Sequence, residues 1–118
     1  MEKSKFNIEI KEVFGTCDSN IFRKMVEKGD VTADKITNFI GEIVVIDGYA
    51  LCNIQTDDKN FDMGYYATDK GIISTGSTVF MESVKDYIDE INRFKIVEIK
   101  TSNGKTYKVT PVLTEETL

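Results

Sequence analysis

From residue 42 onward the chain alternates between short β-branched or aromatic runs and small clusters of turn residues. Ile43-Val44-Val45-Ile46 is a continuous β-branched run, Asp47-Gly48 interrupts it, and apolar character resumes from Tyr49 to Ile54. This predicts a long strand over residues 42–54, with a glycine where a curled strand must bend. A polar turn follows over residues 55–60, then an aromatic-rich strand over 61–68, the turn Asp69-Lys70-Gly71 and a third strand over 72–75. Ser77 reads as the N-cap of a helix whose stripe is Phe80, Val84, Tyr87, Ile88 and Ile91. A fourth strand over 94–101 meets Ser102-Asn103-Gly104, whose Asn-Gly pair is a strong hairpin signal, and a fifth runs over 105–113. Pro111 near its end fits a fraying or edge position.

The first forty residues read differently. Phe6, Ile8 and Ile10 alternate loosely, so residues 6–14 predict a strand. Asp18 or Ser19 then caps a helix carrying Ile21, Phe22, Met25 and Val26, and Gly29 ends it. A second short helix is predicted from Thr32 through Ile36, Phe39 and Ile40 to Gly41, both helices laying an apolar face on the strands C-terminal to them. Three strands, a helix and two strands, with a long bent first strand and a closing hairpin, are the layout of a mostly β, five-stranded OB-fold barrel, β-β-β-α-β-β. The expected organisation is an N-terminal extension over 1–30, the barrel over 31–113 and a short acidic tail over 114–118. An OB-fold raises the expectation of an oligonucleotide or oligosaccharide ligand without fixing it.

Strand patterning picks out the candidate contacts. Val44, Ile46, Ala50, Cys52 and Ile54 form a compact inner row, with Ile43, Val45, Tyr49 and Leu51 opposite. The next strand is apolar on both faces, Phe61, Met63 and Tyr65 on one and Tyr66 on the other, although a half-buried strand needs only one apolar face. Tyr49, Tyr65, Tyr66 and Tyr107 are therefore expected to stack bases, and Lys59, Lys70, Lys105 and Lys108 to meet phosphates. The competing reading of each ring is core, and of each lysine, solvated surface.

Charge sharpens this picture. The net charge is −5, which by itself argues against a polyanion. The segment 93–108 nevertheless carries Arg93, Lys95, Lys100, Lys105 and Lys108 against Glu98 alone, a local balance of about +4 on a body of about −9. Such lysines equally protect strand edges from aggregation. The absence of histidine removes the commonest general base and metal ligand and makes an enzyme the least expected class. Cys17 and Cys52 have no metal spacing; Cys52 reads as core, and no disulfide is expected in a reducing cytoplasm. Gly71 to Thr78 has the glycine spacing of a phosphate-binding loop, but Ser77 stands where that loop needs lysine, so it reads as a turn and cap. Asp57, Asp58, Asp62 and Asp69 fit no EF-hand and read as solvated turn carboxylates. No cofactor or metal is expected. Neither a secretion signal nor a membrane span is predicted, which points to the cytoplasm in which the chain is made.

The stretches Ile40-Gly41-Glu42 through Gly48-Tyr49-Ala50, Tyr65-Tyr66-Ala67-Thr68-Asp69, Ile73-Ser74-Thr75-Gly76-Ser77 and Lys105-Thr106-Tyr107-Lys108-Val109 together resemble small early-region proteins of phages of low-GC Gram-positive bacteria. Some relatives of that type, including lactococcal ones, are single-stranded DNA-binding proteins with an OB-fold. The resemblance covers about residues 30–113. It implies sequence-tolerant single-stranded DNA binding in phage replication or recombination, self-association as a dimer or tetramer, and replication or recombination proteins as further partners. Many replication proteins of this kind end in an acidic tail with an aromatic tip; Thr114-Glu115-Glu116-Thr117-Leu118 lacks the aromatic, so no tail-mediated partner is expected. The alternative is a protein-interaction module, a phage factor occupying a host protein, which the acidic net charge favours.

Overall fold

The structure, a computed structural model, describes residues 6–113; the expected acidic tail over 114–118 lies outside the described residues. Seven strands form one curled, open sheet. β1 is Phe6–Gly15, β2 Asp34–Lys35, β3 Ile43–Thr56, β4 Asn60–Thr68, β5 Gly71–Thr75, β6 Arg93–Thr101 and β7 Gly104–Pro111. Two helices accompany them, α1 over Asn20–Glu27 and α2 over Thr78–Tyr87. No helix among the described residues is long and apolar enough to cross a membrane.

The five strands expected after residue 40 are present, with bounds within two residues of those predicted. Ser19 and Ser77 cap the helices as expected, each hydroxyl accepting an amide N–H three residues on, from Phe22 and Phe80, at 3.1 Å. The second short helix is corrected. Asp34 and Lys35 instead pair parallel with Ile73 and Ser74, and only a 3₁₀ turn, Ile36–Phe39, comes after them. Ile36 and Phe39 still turn into the core, so the apolar spacing is met by one tight turn.

The five-stranded barrel also needs correction: the sheet is a half-barrel of seven strands in the order β2-β5-β4-β3-β6-β7, with β1 added to β3. The cause is the length of β3. Its 14 residues pair with β6 through Ile43–Val45, with β4 from Ile46 to Gln55, and with β1 from Gly48 to Thr56. No ladder joins β5 to β7. α2 lies there instead: the Ser83 hydroxyl accepts the Val109 N–H at 3.0 Å, and the Ser77 and Thr106 hydroxyls meet at 3.1 Å. The β7 amide that a strand would have paired is satisfied by a helix side chain.

Two cores result, one on each face of β3 and β4. The barrel core holds Val44, Ile46, Tyr49, Tyr66, Ile73, Phe80, Val84, Phe94, Ile96 and Val109. The outer core holds Cys17, Val26, Ala50 and Cys52, with Ile8, Ile10, Val13, Phe22, Val31, Tyr65 and Ala67 packed around them. The expected single inner row of β3 is thus split: Val44 and Ile46 belong to the barrel, Ala50 and Cys52 to the outer core. A bulge at Asp47 is responsible, since the register shifts between Ile46 and Gly48. One extra residue in a strand of period two sends every later side chain to the opposite face. Gly48 permits this because a Cβ there would come within 2.5 Å of the Phe14 carbonyl oxygen. On the outer face of β4, Tyr65 and Ala67 pack into the outer core, while Phe61, nearer the tip, stays exposed.

Candidate nucleic-acid interface

An aromatic row runs through the barrel core. Phe14 of β1 stacks on Tyr49 with centroids 5.5 Å apart, Tyr49 lies 5.9 Å from Tyr66, and Tyr66 meets the edge of Phe80 at 5.1 Å. Tyr49 is 4% exposed and Tyr66 1%. Neither ring has a free face, so the expectation that they stack bases is overturned for both. The Asp47 bulge places Tyr49 inward, and Tyr66 is its cross-strand partner. The Tyr49 hydroxyl donates to Glu12 Oε2 at 2.8 Å, and Lys85 of α2 donates to Glu12 Oε1 at 3.0 Å. Glu12 therefore ties β1, β3 and α2 together. The Lys85 hydrogen bond, then that of Tyr49, holds its carboxyl below the usual range, while burial pushes the Tyr49 hydroxyl up. The Tyr66 hydroxyl is buried with no hydrogen-bond partner, and its pKa is raised by that burial. Such a group costs about 1–3 kcal/mol.

Tyr65 is half-buried in the outer core, where burial raises its pKa. Beside it, burial pushes the Cys17 and Cys52 thiols up to about 11. Tyr107 is half-buried against the barrel core.

The expected lysines do not converge. Lys59 and Lys70 lie beyond opposite ends of β4, whose nine residues span about 30 Å. Lys70 is tied down, donating to the Ile43 carbonyl at 2.6 Å and pairing with Glu42 at 3.7 Å. Lys105 and Lys108, three apart on β7, point to opposite faces. In their place the β6–β7 register brings Lys100 directly opposite Lys105, with Glu98 opposite Tyr107 on the same face. Glu98 reaches Lys105 at 3.5 Å, one carboxylate against two facing cations. Lys100 counted only toward the local charge in the sequence; its place opposite Lys105 was available from the Asn103-Gly104 turn, which fixes that register.

Sequence patterning also passed over a polar cleft on the barrel-core face of the β3–β4 tip. Beyond Leu51 and Gly64 that face continues as the pairs Asn53–Asp62 and Gln55–Asn60. The Asn53 amide donates to Asn60 Oδ1 at 2.7 Å and Asp62 Oδ1 at 3.0 Å, and Gln55 donates to Asn53 Oδ1 at 3.0 Å. A bulge between Ile10 and Glu12 leaves Lys11 unpaired in the ladder, with its Nζ 4.0 Å from Asp62. Gly76 and Thr78, at the start of α2, form the opposite wall of a cleft of about 560 Å³. Among the described residues, no three His, Cys, Asp or Glu side chains converge as a metal site would require. The chain has no match among protein-family models, curated proteins or solved structures, so its chemistry rests on these side chains alone.

Proposed function

We propose that this chain binds single-stranded DNA through the β6–β7 hairpin, as a sequence-tolerant protein of phage replication or recombination that acts as a homo-oligomer. The observation that carries the reading is the Lys100–Lys105 pair. Like charges directly opposite on adjacent strands destabilise a sheet, and a phosphate between them removes the repulsion. The Tyr107 ring follows on the same face. Lys95 and Lys108 lie on the other face of the hairpin and add to its field. The run β3-β4-β5-α2-β6-β7 follows the element order of an OB-fold, to which β1 and β2 are additions. The resemblance of residues 30–113 to phage single-stranded DNA-binding proteins points the same way.

Fluorescence anisotropy with a labelled oligo-dT, at low and physiological salt and against the matching duplex, tests this. Single-strand binding that weakens with salt is expected, and replacing both Lys100 and Lys105 by alanine lowers the salt slope by about two. No binding at micromolar protein in low salt ends the reading.

A protein-interaction module is the second reading. Its support is α1, where Ile21 and Met25 are 75% and 39% exposed, one turn apart on the face away from the sheet.

A further inference from the structure

The polar cleft at the β3–β4 tip makes no contribution to either core, yet its side chains are held in one arrangement. Asn53 spends both amide hydrogens on its neighbours, on Asn60 Oδ1 and on Asp62 Oδ1. That leaves the Asn60 amide hydrogens and the second Asp62 oxygen with no hydrogen bond among the described residues. A fixed donor therefore stands beside a fixed acceptor. Lys11 contributes a cation at the rim, placed there by the β1 bulge. An adjoining recess of about 270 Å³ shares Lys11 and Asp62 and runs inward to Leu51 and Met81. These volumes suit a ring the size of a nucleobase.

The cleft also reaches the start of α2, which touches the β6–β7 hairpin. Its far wall, Gly76 and Thr78, flanks Ser77, whose hydroxyl lies 3.1 Å from that of Thr106, the neighbour of Lys105.

Resting on that reading, we propose that this cleft is a subsite for one unpaired guanine. Guanine presents two adjacent N–H donors, at N1 and N2, which suit the Asp62 carboxylate, and beside them the O6 acceptor, which suits the Asn60 amide. Thymine presents one N–H between two carbonyls, so with one carbonyl on the Asn60 amide the other faces the carboxylate. Lys11 meets the phosphate of the same nucleotide or its neighbour.

The test compares three labelled oligonucleotides by anisotropy: an all-T strand, the same strand with one central guanine, and the same strand with hypoxanthine there, which lacks the N2 amino group. Guanine is expected to bind about ten-fold more tightly than all-T, with hypoxanthine losing most of the gain. Asp62→Asn loses the preference for the guanine strand over the all-T strand. Asn60→Ala, which leaves the carboxylate in place, weakens guanine alone, and a thermal melt of each variant checks its fold. In NMR spectra the Asn60 side-chain amide signals shift with GMP and not with TMP. Equal affinities for guanine and all-T strands, or a preference that survives Asp62→Asn, overturn the subsite and leave the DNA-binding reading standing. Absence of any salt-sensitive binding overturns both.

Discussion

The barrel core and the outer core share strands β3 and β4 but are filled by different kinds of side chain. The barrel side holds Tyr66, Phe80, Phe94, Ile73 and Ile96, large groups that α2 closes over. The outer side has a centre of small residues, Cys17, Ala50 and Cys52, under a helix of eight residues. A helix that short is not stable alone in water, so α1 is held by Phe22 and Val26 against the sheet. More apolar area leaves water on the barrel side, which makes the barrel the more stable unit and the N-terminal cover the first to open.

Truncation in the barrel gives the largest expected effect. Phe80→Ala lowers the unfolding free energy by about 3–5 kcal/mol in urea titrations, because Phe80 is 1% exposed and closes the aromatic row. A loss under about 1 kcal/mol would mean that α2 does not close the barrel.

The junction between the cores comes next. Gly48→Ala drives a methyl toward the Phe14 carbonyl and the Thr16 and Cys17 amides, costing about 1–3 kcal/mol and loosening both cores together. An alanine tolerated without loss would place the bulge elsewhere.

Val26→Ala separates the two cores. It removes apolar surface worth about 1.5 kcal/mol from the outer core. Cys17 and Cys52 are both buried there as free thiols, so they should react faster with a thiol reagent while the near-ultraviolet signal of the barrel tyrosines is unchanged. Thiols that react only on global unfolding would make the two cores one cooperative unit.

The smallest effect belongs to Glu12, whose carboxylate is about two-fifths exposed. Glu12→Gln costs less than about 1 kcal/mol at neutral pH. The folded-state pKa of Glu12 lies below its ordinary value of 4.5, so its contribution is complete above that pH and is lost as pH falls through the folded value. The difference between wild type and variant in acid titrations should therefore shrink below pH 4.5 and vanish once the folded carboxyl is protonated. A difference that persists there would assign the loss to packing rather than charge.

Local chemistry was legible where it acts over a few residues. The caps Ser19 and Ser77, the Asn103-Gly104 turn and the long interrupted strand at residue 43 each come from contacts within a short stretch of chain. The faces of the strands were not legible. Tyr49 and Tyr66 look like unexplained aromatics until the register of β3 against β1 and β4 is known. The cleft was hidden for the same reason, since Lys11 enters it only through a bulge and Asn53, Asn60 and Asp62 meet only across two strands.

Residue order alone thus sets the strands other than β2, the two capped helices, their succession, the hairpin register that faces Lys100 with Lys105, and the basic segment on an acidic body. Propensity, capping and turn chemistry are local, and charge is additive along the chain. Packing in three dimensions settles the rest: the sheet stays open, β1 and β2 join it, one strand serves two cores, and an amide-lined cleft forms at its tip. The division of β3 between two cores and the entry of Lys11 into the cleft depend on where a bulge falls, and a bulge is fixed by the backbone of a neighbouring strand far away in sequence.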